Sequence, residues 1–334
     1  MPTDSTLHDV AALAGVSPRT VSRVVNDESG FSEETRARVL AAIEKVGYRP
    51  NLLARALITR RTGIVALVVP QMNDPYFSEL AEGVQAAARA TQRTMLIASH
   101  REEASIMNEV LEKLRSLAVD GVIVFAPLGD RSLAISHAAR GLPTVLVDLE
   151  TQAPNLGSVV SDIGNGAELA VAHLVSRGRT NIAMLANSHS ELSVMLPRRE
   201  AGFMRGLHAA GMPVYPDLIE RQLPTIAGGR IAMEMILKKR PDIDGVFAYN
   251  DAMAIGALQT LATLGRRVPD DVAIVGFDDV ALCAALIPPL TTIRLDTERI
   301  GTEAIAMLDR IAANPGAPQP SVTLDVTMVV RESA

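Results

Sequence analysis

"STLHDVAALAGVSPRTVSRVVNDESGFSEETRARVLAAIEKVGYRP", Ser5 to Pro50, decides how the front of this chain folds. Thr6 stands three residues before Asp9, a capping-box-like start, and Leu7, Val10, Ala11 and Ala14 follow at helical spacing. Gly15 ends that helix. Ser17 then offers an N-cap and Pro18 suits the first helical position. The segment "SPRTVSRVVN" turns Val21, Val24 and Val25 inward and leaves Arg19, Thr20, Ser22, Arg23 and Asn26 on or beside the outer face. A third helix is expected from the Ser32 cap to about Val46, with Gly47 as its stop. Two helices joined by a Gly-containing turn describe a helix-turn-helix, whose second helix enters the major groove and can set arginine against guanine. The same pattern also describes a small three-helix bundle with a solvated polar face.

Charge separates these alternatives only weakly. The chain of 334 residues carries a net charge of −6, but residues 1–61 carry +2 and the remainder −8. A small basic unit on an acidic body is the pattern of a nucleic-acid-binding segment joined to a sensor or an enzyme. The length favours two or three folding units. Cys283 lies in the apolar run "VALCAALI" without a His or second Cys at ligand spacing, so a buried, inert thiol is expected. No export signal precedes the first helix and no apolar run reaches membrane-spanning length. A cytoplasmic, nucleoid-associated protein without membrane contact is the expectation.

"TLHDVAALAGVSPRTVSRVVN" followed by "SEETRARVLAAIEKVGYRPNLLARAL" resembles the head of the LacI/GalR family of bacterial transcription regulators. The resemblance implies that Pro18, Arg19 and Arg23 read bases, and that Thr6, Ser17, Thr20 and Asn26 contact or orient the DNA backbone. Pro18 departs from the larger polar or aromatic residues often seen at its position. The next stretch, "PNLLARALITRR" (residues 50–61), offers only about two turns of helix, too short to be stable alone. In the family it is a hinge helix in the minor groove. That places Asn51, Leu53, Ala54, Arg55 and Leu57 among the DNA-contacting residues, with Leu57 as the apolar wedge between base pairs.

From Gly63 the pattern changes to short apolar strands alternating with amphipathic helices. "GIVALVVP", "TMLIAS", "GVIVFAP" and "PTVLVD" form one series of strands; "NIAMLAN", "DGVFAYN" and "DVAIVGFD" form a second. Parallel sheets with helices on both faces follow, in two similar α/β lobes. The expected division is a helix-turn-helix domain over residues 1–49, a hinge over 50–61 and an effector-binding and dimerisation core over 62–334. Its first lobe is expected over about 62–161 plus a late returning segment, its second over about 162–291 plus C-terminal strands.

Ligands bind beyond the carboxyl ends of parallel strands. Asn73, Asp74, Tyr76 and Phe77 follow the first strand; Asp162, Asn250, Asp251, Asp278 and Asp279 follow later ones. Each aspartate also reads as a helix cap. Acceptors, amides and an aromatic pair converging on one rim suit a polyhydroxylated ligand. "NDPYFSEL", "NDAMAIGALQTLATLG", "VPDDVAIVGFDD" and "PPLTTIR" resemble the same family's effector-binding core, which is similar to periplasmic sugar-binding proteins. By that resemblance Asn73, Tyr76, Phe77, Arg101, Asp162, Arg199, Asn250 and Asp278 are the candidate effector contacts. Ile163, His100 with Arg101, and the doubled Arg198 and Arg199 depart from the common pattern. The added cations suit an acidic or phosphorylated sugar, or simply face solvent.

No dinucleotide, phosphate-loop, nucleophile-elbow or zinc motif is present in the sequence, so neither catalysis nor a cofactor is expected. The reading is a homodimeric repressor of sugar or sugar-acid catabolic genes on a pseudo-palindromic operator, released by an inducer. The alternatives are a corepressor-dependent regulator taking a purine or phosphorylated metabolite, and a transport-type solute-binding protein. The family's optional C-terminal heptad tail is not seen, so a dimer is expected over a tetramer.

Overall fold

The computed structural model describes residues 5–25, 29–48, 61–126, 130–151, 153–188 and 198–334. The chain separates into two compact units, Met1–Thr62 and Gly63–Ala334.

The first unit holds α1 (Leu7–Ala14), α2 (Pro18–Val25) and α3 (Glu33–Val46). Its caps follow from the side chains. The Asp9 amide donates to Thr6 Oγ1 while the Thr6 amide donates back to Asp9 Oδ2, closing a capping box. Gly15 and Gly47 terminate α1 and α3 in the left-handed conformation, where a Cβ would be strained. Val10, Val21 and Val39, one from each helix, are fully buried and form the centre of a small core.

The second unit contains two parallel sheets. One is built from β1 (Ile64–Val69), β2 (Thr94–Ser99), β3 (Gly121–Val124), β4 (Thr144–Val147) and β5 (Leu156–Ser161), with β11 (Val322–Leu324) added late, in the order β11-β5-β4-β3-β1-β2. Its helices are α4 (Pro75–Ala90), α5 (Ala104–Ser116), α6 (Ser132–Ala139) and α11 (Thr297–Ala313). The other is built from β6 (Ile182–Asn187), β7 (Ile219–Gln222), β8 (Gly245–Ala248) and β9 (Ala273–Val275), in the order β7-β6-β8-β9. It is covered by α7 (Ile163–Ser176), α8 (Arg198–Ala209), α9 (Ile226–Lys239) and α10 (Asp251–Thr263). The runs "IVALVV", "GVIV" and "TVLV" are almost continuously buried, as strands covered on both faces must be.

A short antiparallel pair, β10 (Thr292–Arg294) with β12 (Thr327–Val329), lies against α7 on the side of the second lobe. The chain therefore passes between lobes three times: after β5, before α11 and after β11. The returning helix α11 is seated on α4 by glycines. A Cβ on Gly83 would lie 2.5 Å from the Thr297 carbonyl oxygen, and one on Gly301 would lie 2.5 Å from the Gly83 carbonyl carbon. Either alanine would force the two helices apart. Cys283 is fully buried, and that burial pushes its thiol pKa up. No helix among the described residues is long and apolar enough to cross a membrane.

Candidate functional site

In the first unit, Ser17 caps α2 by accepting the Thr20 amide at 3.1 Å, and its hydroxyl lies 2.9 Å from Thr20 Oγ1. Val21 and Val24 anchor the inner face, so Ser17 and Arg19 are left exposed while Pro18, Thr20 and Arg23 are half-buried. An uncovered helix N-terminus carrying a hydroxyl and an arginine is built for phosphate oxygens and base edges. Thr6 is exposed, and its hydroxyl is engaged by Asp9 at 2.7 Å. The Arg23 guanidinium donates to the Ser29 carbonyl. Asn26, Asn51, Leu53, Ala54, Arg55 and Leu57 lie outside the described residues.

In the second unit, the carboxyl ends of both sheets face a cavity of about 280 Å³ between the lobes. The first lobe lines it with Asp74, Tyr76 and Phe77 at the start of α4, Glu102 after β2, Phe125 after β3 and Asp148 after β4. The second lobe contributes Asn187 after β6, Arg198 and Arg199 at the start of α8, Tyr249 and Asn250 after β8, and Asp278 after β9. Asp74 caps α4 by accepting the Tyr76 amide at 3.0 Å, and Pro75 at the first helical position fixes the turn that delivers the two aromatic rings. Tyr76, Phe77 and Phe125 then meet edge to face, with ring centroids 5.2 to 6.2 Å apart.

The opposite wall is polar. Arg199, 9% exposed, donates to Asp278 Oδ1 at 3.1 Å. Its guanidinium lies 4.0 Å from the Phe277 ring centre and 4.3 Å from that of Tyr249, which fixes its plane. Burial opposes that charge, but the field of Tyr249, Asp278 and Asp148 outweighs it and raises the pKa. Burial lifts the carboxyls of Asp74, Asp148 and Asp278 above the usual range, opposed each time by Arg199. The Tyr76 hydroxyl and Arg199 Nε are buried without a partner among the described residues. Two such orphans cost about 1–3 kcal/mol each until something bonds them. A ligand with several hydroxyls would supply those bonds.

Of the expected effector contacts, Tyr76, Phe77, Arg199, Asn250 and Asp278 meet at this cavity, and Asn73, Arg101 and Asp162 do not line it. Asp162 is exposed and caps α7, accepting the Asn165 amide at 3.2 Å; the capping alternative describes it better. Arg101 sits in the left-handed conformation, φ 52°, with its side chain exposed, while its neighbour Glu102 takes the wall. Asn73 is exposed beside the capping Asp74. Arg198 reaches the cavity but pairs with Glu150 of the other lobe at 3.1 Å. Asn250 doubles as the cap of α10, accepting the Met253 amide at 2.9 Å and donating to the Pro224 carbonyl at 3.2 Å. Asp148 was not among the expected contacts. It ends the strand in "PTVLVD", φ 59°, with Oδ1 accepting the Ser161 amide at 2.9 Å, and the end-of-strand rule that singles out Asp278 applies to it equally.

Comparison with known proteins places both units. A family model of bacterial regulatory proteins, lacI family, matches residues 6–51, and one of a periplasmic binding protein-like domain matches residues 171–334. The HTH-type transcriptional regulator CelR of Thermobifida fusca is 36% identical over 337 residues, 98% of each chain. DegA of Bacillus subtilis, another HTH-type transcriptional regulator, is 31% identical over 332 residues, again 98% of each. Among solved structures, a CelR–cellobiose complex superposes with a TM-score of 0.74 at 33% identity, covering 99% of this chain and 100% of that one. A Lac repressor dimer bound to operator and the anti-inducer ONPF superposes with a TM-score of 0.86 at 28% identity, covering 99% of both. With its helix-turn-helix unit and its two-lobed core both matched at nearly full length, the chain belongs to the LacI family of DNA-binding transcriptional regulators, and it is not an enzyme.

Proposed function

We propose that this regulator is a homodimeric repressor whose grip on a pseudo-palindromic operator is released when a neutral sugar occupies the cavity between its lobes. The composition of that cavity carries the reading. Buried carboxylates from both lobes and the Asn250 amide line the same cavity as an edge-to-face aromatic cluster, a combination that bonds hydroxyls and packs a sugar ring. Each arginine already has a carboxylate beside it, Asp278 for Arg199 and Glu150 for Arg198, so a neutral ligand suits the cavity without adding a charge. The relative solved with cellobiose supports a sugar, and the Lac repressor dimer on operator supports a two-fold assembly. Large apolar side chains left exposed on the core, among them Ile226, Ile231 and Ile287, suit a subunit contact.

In this mechanism a sugar bonds both lobes and favours one lobe angle over the other, by its differential affinity for the two. The angle sets the spacing of the two headpieces, and hence whether both recognition helices reach adjacent major grooves. The hinge residues around Leu57 supply the minor-groove contact that only correctly spaced headpieces can make.

A thermal-shift screen of neutral sugars, sugar acids, sugar phosphates and purines tests the reading. A neutral sugar at about a hundredfold excess over its Kd should raise the midpoint by about 5 °C or more. A response to purines alone would replace the sugar by a purine corepressor. Removing residues 1–61 should abolish operator retention and leave the sugar response intact.

A further inference from the structure

His100, at the carboxyl end of β2, is fully buried behind Glu102 and Phe125, two residues that line the first lobe's side of the cavity. Its Nδ1 accepts the Glu102 amide at 3.1 Å. Its Nε2 lies 2.7 Å from the carbonyl oxygen of Phe125. An amide can donate only to an unprotonated nitrogen, so the single ring proton must sit on Nε2 and be donated to Phe125. One neutral imidazole thus ties the loop after β2, which supplies Glu102 to the cavity, to the loop after β3, which supplies Phe125. The loop needs the tie: Arg101 and Glu102 both hold the left-handed conformation, at φ 52° and 60°, which non-glycine residues rarely adopt without support.

We propose that His100 is a positioning residue of the effector cavity, a latch that holds Glu102 and Phe125 in place while neutral and releases them when protonated. A proton on Nδ1 would face the Glu102 amide donor head-on, so the charged form and the intact loop exclude each other. Burial pushes the imidazole below its ordinary pKa, in the direction the latch requires. Of the groups packed around the ring, Glu102 on its own loop favours the charged form. Arg101 and Glu103 beside it are exposed, the loop after β1 meets this turn through the Val69 and Pro70 carbonyls, and the loop after β3 meets it through Phe125. Because the folded pKa is depressed, the latch is whole above the unfolded value near 6.5 and is lost as pH falls through the folded value. Effector affinity falls with it.

The inference rests on the reading of this cavity as the effector site, and two readouts keep the two claims apart. Ring nitrogen spectra of histidine-labelled full-length protein, with His100 assigned by its loss in His100→Gln, should show the proton on Nε2 alone at pH 7.5. Hydrogen exchange should show a protected Glu102 amide at pH 7.5 that loses protection as His100 takes its second proton, and none at any pH in His100→Ala. With cellobiose as probe, wild-type affinity should fall by about tenfold in all, the scale of one lost hydrogen bond, in step with the second protonation of His100 read from the ring spectra, below its ordinary value of 6.5. His100→Gln, which keeps a donor for Phe125 but does not titrate, should bind several-fold more weakly and lose the part of the pH dependence that follows the His100 ring, leaving only that of the cavity carboxyls of Asp74, Asp148 and Asp278. A His100 that titrates without altering Glu102 exchange, or a His100→Ala protein with wild-type protection, overturns the latch. Absence of cellobiose binding at pH 7.5 counts instead against the cavity as a site for that sugar, while the ring and exchange data still decide the latch.

Discussion

The two lobes share an architecture but present unlike walls to the cavity between them. The first contributes rings: Tyr76, Phe77 and Phe125 in edge-to-face contact, held by a capped helix and a neutral histidine. The second contributes a fixed charge, Arg199 clamped between Tyr249 and Phe277 and bonded to Asp278, with Asn250 beside it. The first wall sets its rings beside the carboxylates of Asp74, Glu102 and Asp148, and the second holds the buried arginine and the amide. A ligand that satisfies both must span the cleft, as the proposed coupling of binding to the angle between lobes requires.

The largest effect is expected on the polar wall. Arg199→Ala removes the partner of a buried carboxylate and should abolish the sugar response, with an affinity loss of at least about a hundredfold, checked by calorimetric titration. Breaking a buried pair from one side also costs about 3–5 kcal/mol of stability, so denaturant unfolding should report a weakened core. Phe125→Ala, on the packing wall, should weaken affinity about tenfold, since an aromatic contact contributes about 0.5–1.5 kcal/mol beyond its area. If Phe125→Ala proves the more damaging of the two, the division of labour between the lobes is reversed.

Tyr76→Phe sharpens the comparison, because it deletes a buried hydroxyl that no described residue bonds. The empty protein should gain up to about 1 kcal/mol in stability while sugar affinity falls about fivefold to tenfold, opposite signs that packing alone would not produce. The smallest effect belongs to Glu150→Gln. Glu150 is 60% exposed in its bridge to Arg198, and screening holds such a pair below about 1 kcal/mol, so stability should hardly change. A large loss of stability there would show that the cross-cleft bridge, not the ligand, sets the lobe angle.

Much of this arrangement is legible in the residues themselves. Local chemistry announces the caps: Thr6 with Asp9, Ser17 before Pro18, Asp74 before Pro75. The apolar runs of the central strands are equally direct. The late return to the first lobe, expected only as a segment without bounds, has no local periodicity to identify it as α11; only Gly83 and Gly301 mark the helix crossing, and their meaning requires both partners. Asp162 and Asp148 show the limit within the site. Both follow apolar strands, yet one turns outward to cap α7 and the other inward to the cavity, a choice set by backbone conformation rather than residue type. Arg101 and Glu102 differ in the same way, one exposed and one on the wall.

The central claim is that occupancy of the cavity controls operator binding. Fluorescence anisotropy on a labelled pseudo-palindromic operator, with and without saturating amounts of the sugar giving the largest thermal shift, tests it most directly. The account predicts that the sugar weakens operator affinity by at least about tenfold in the wild type, about 1.4 kcal/mol of coupling, and leaves Arg199→Ala unmoved. Operator affinity unchanged by a sugar that demonstrably fills the cavity, or tightened by it, would contradict the account.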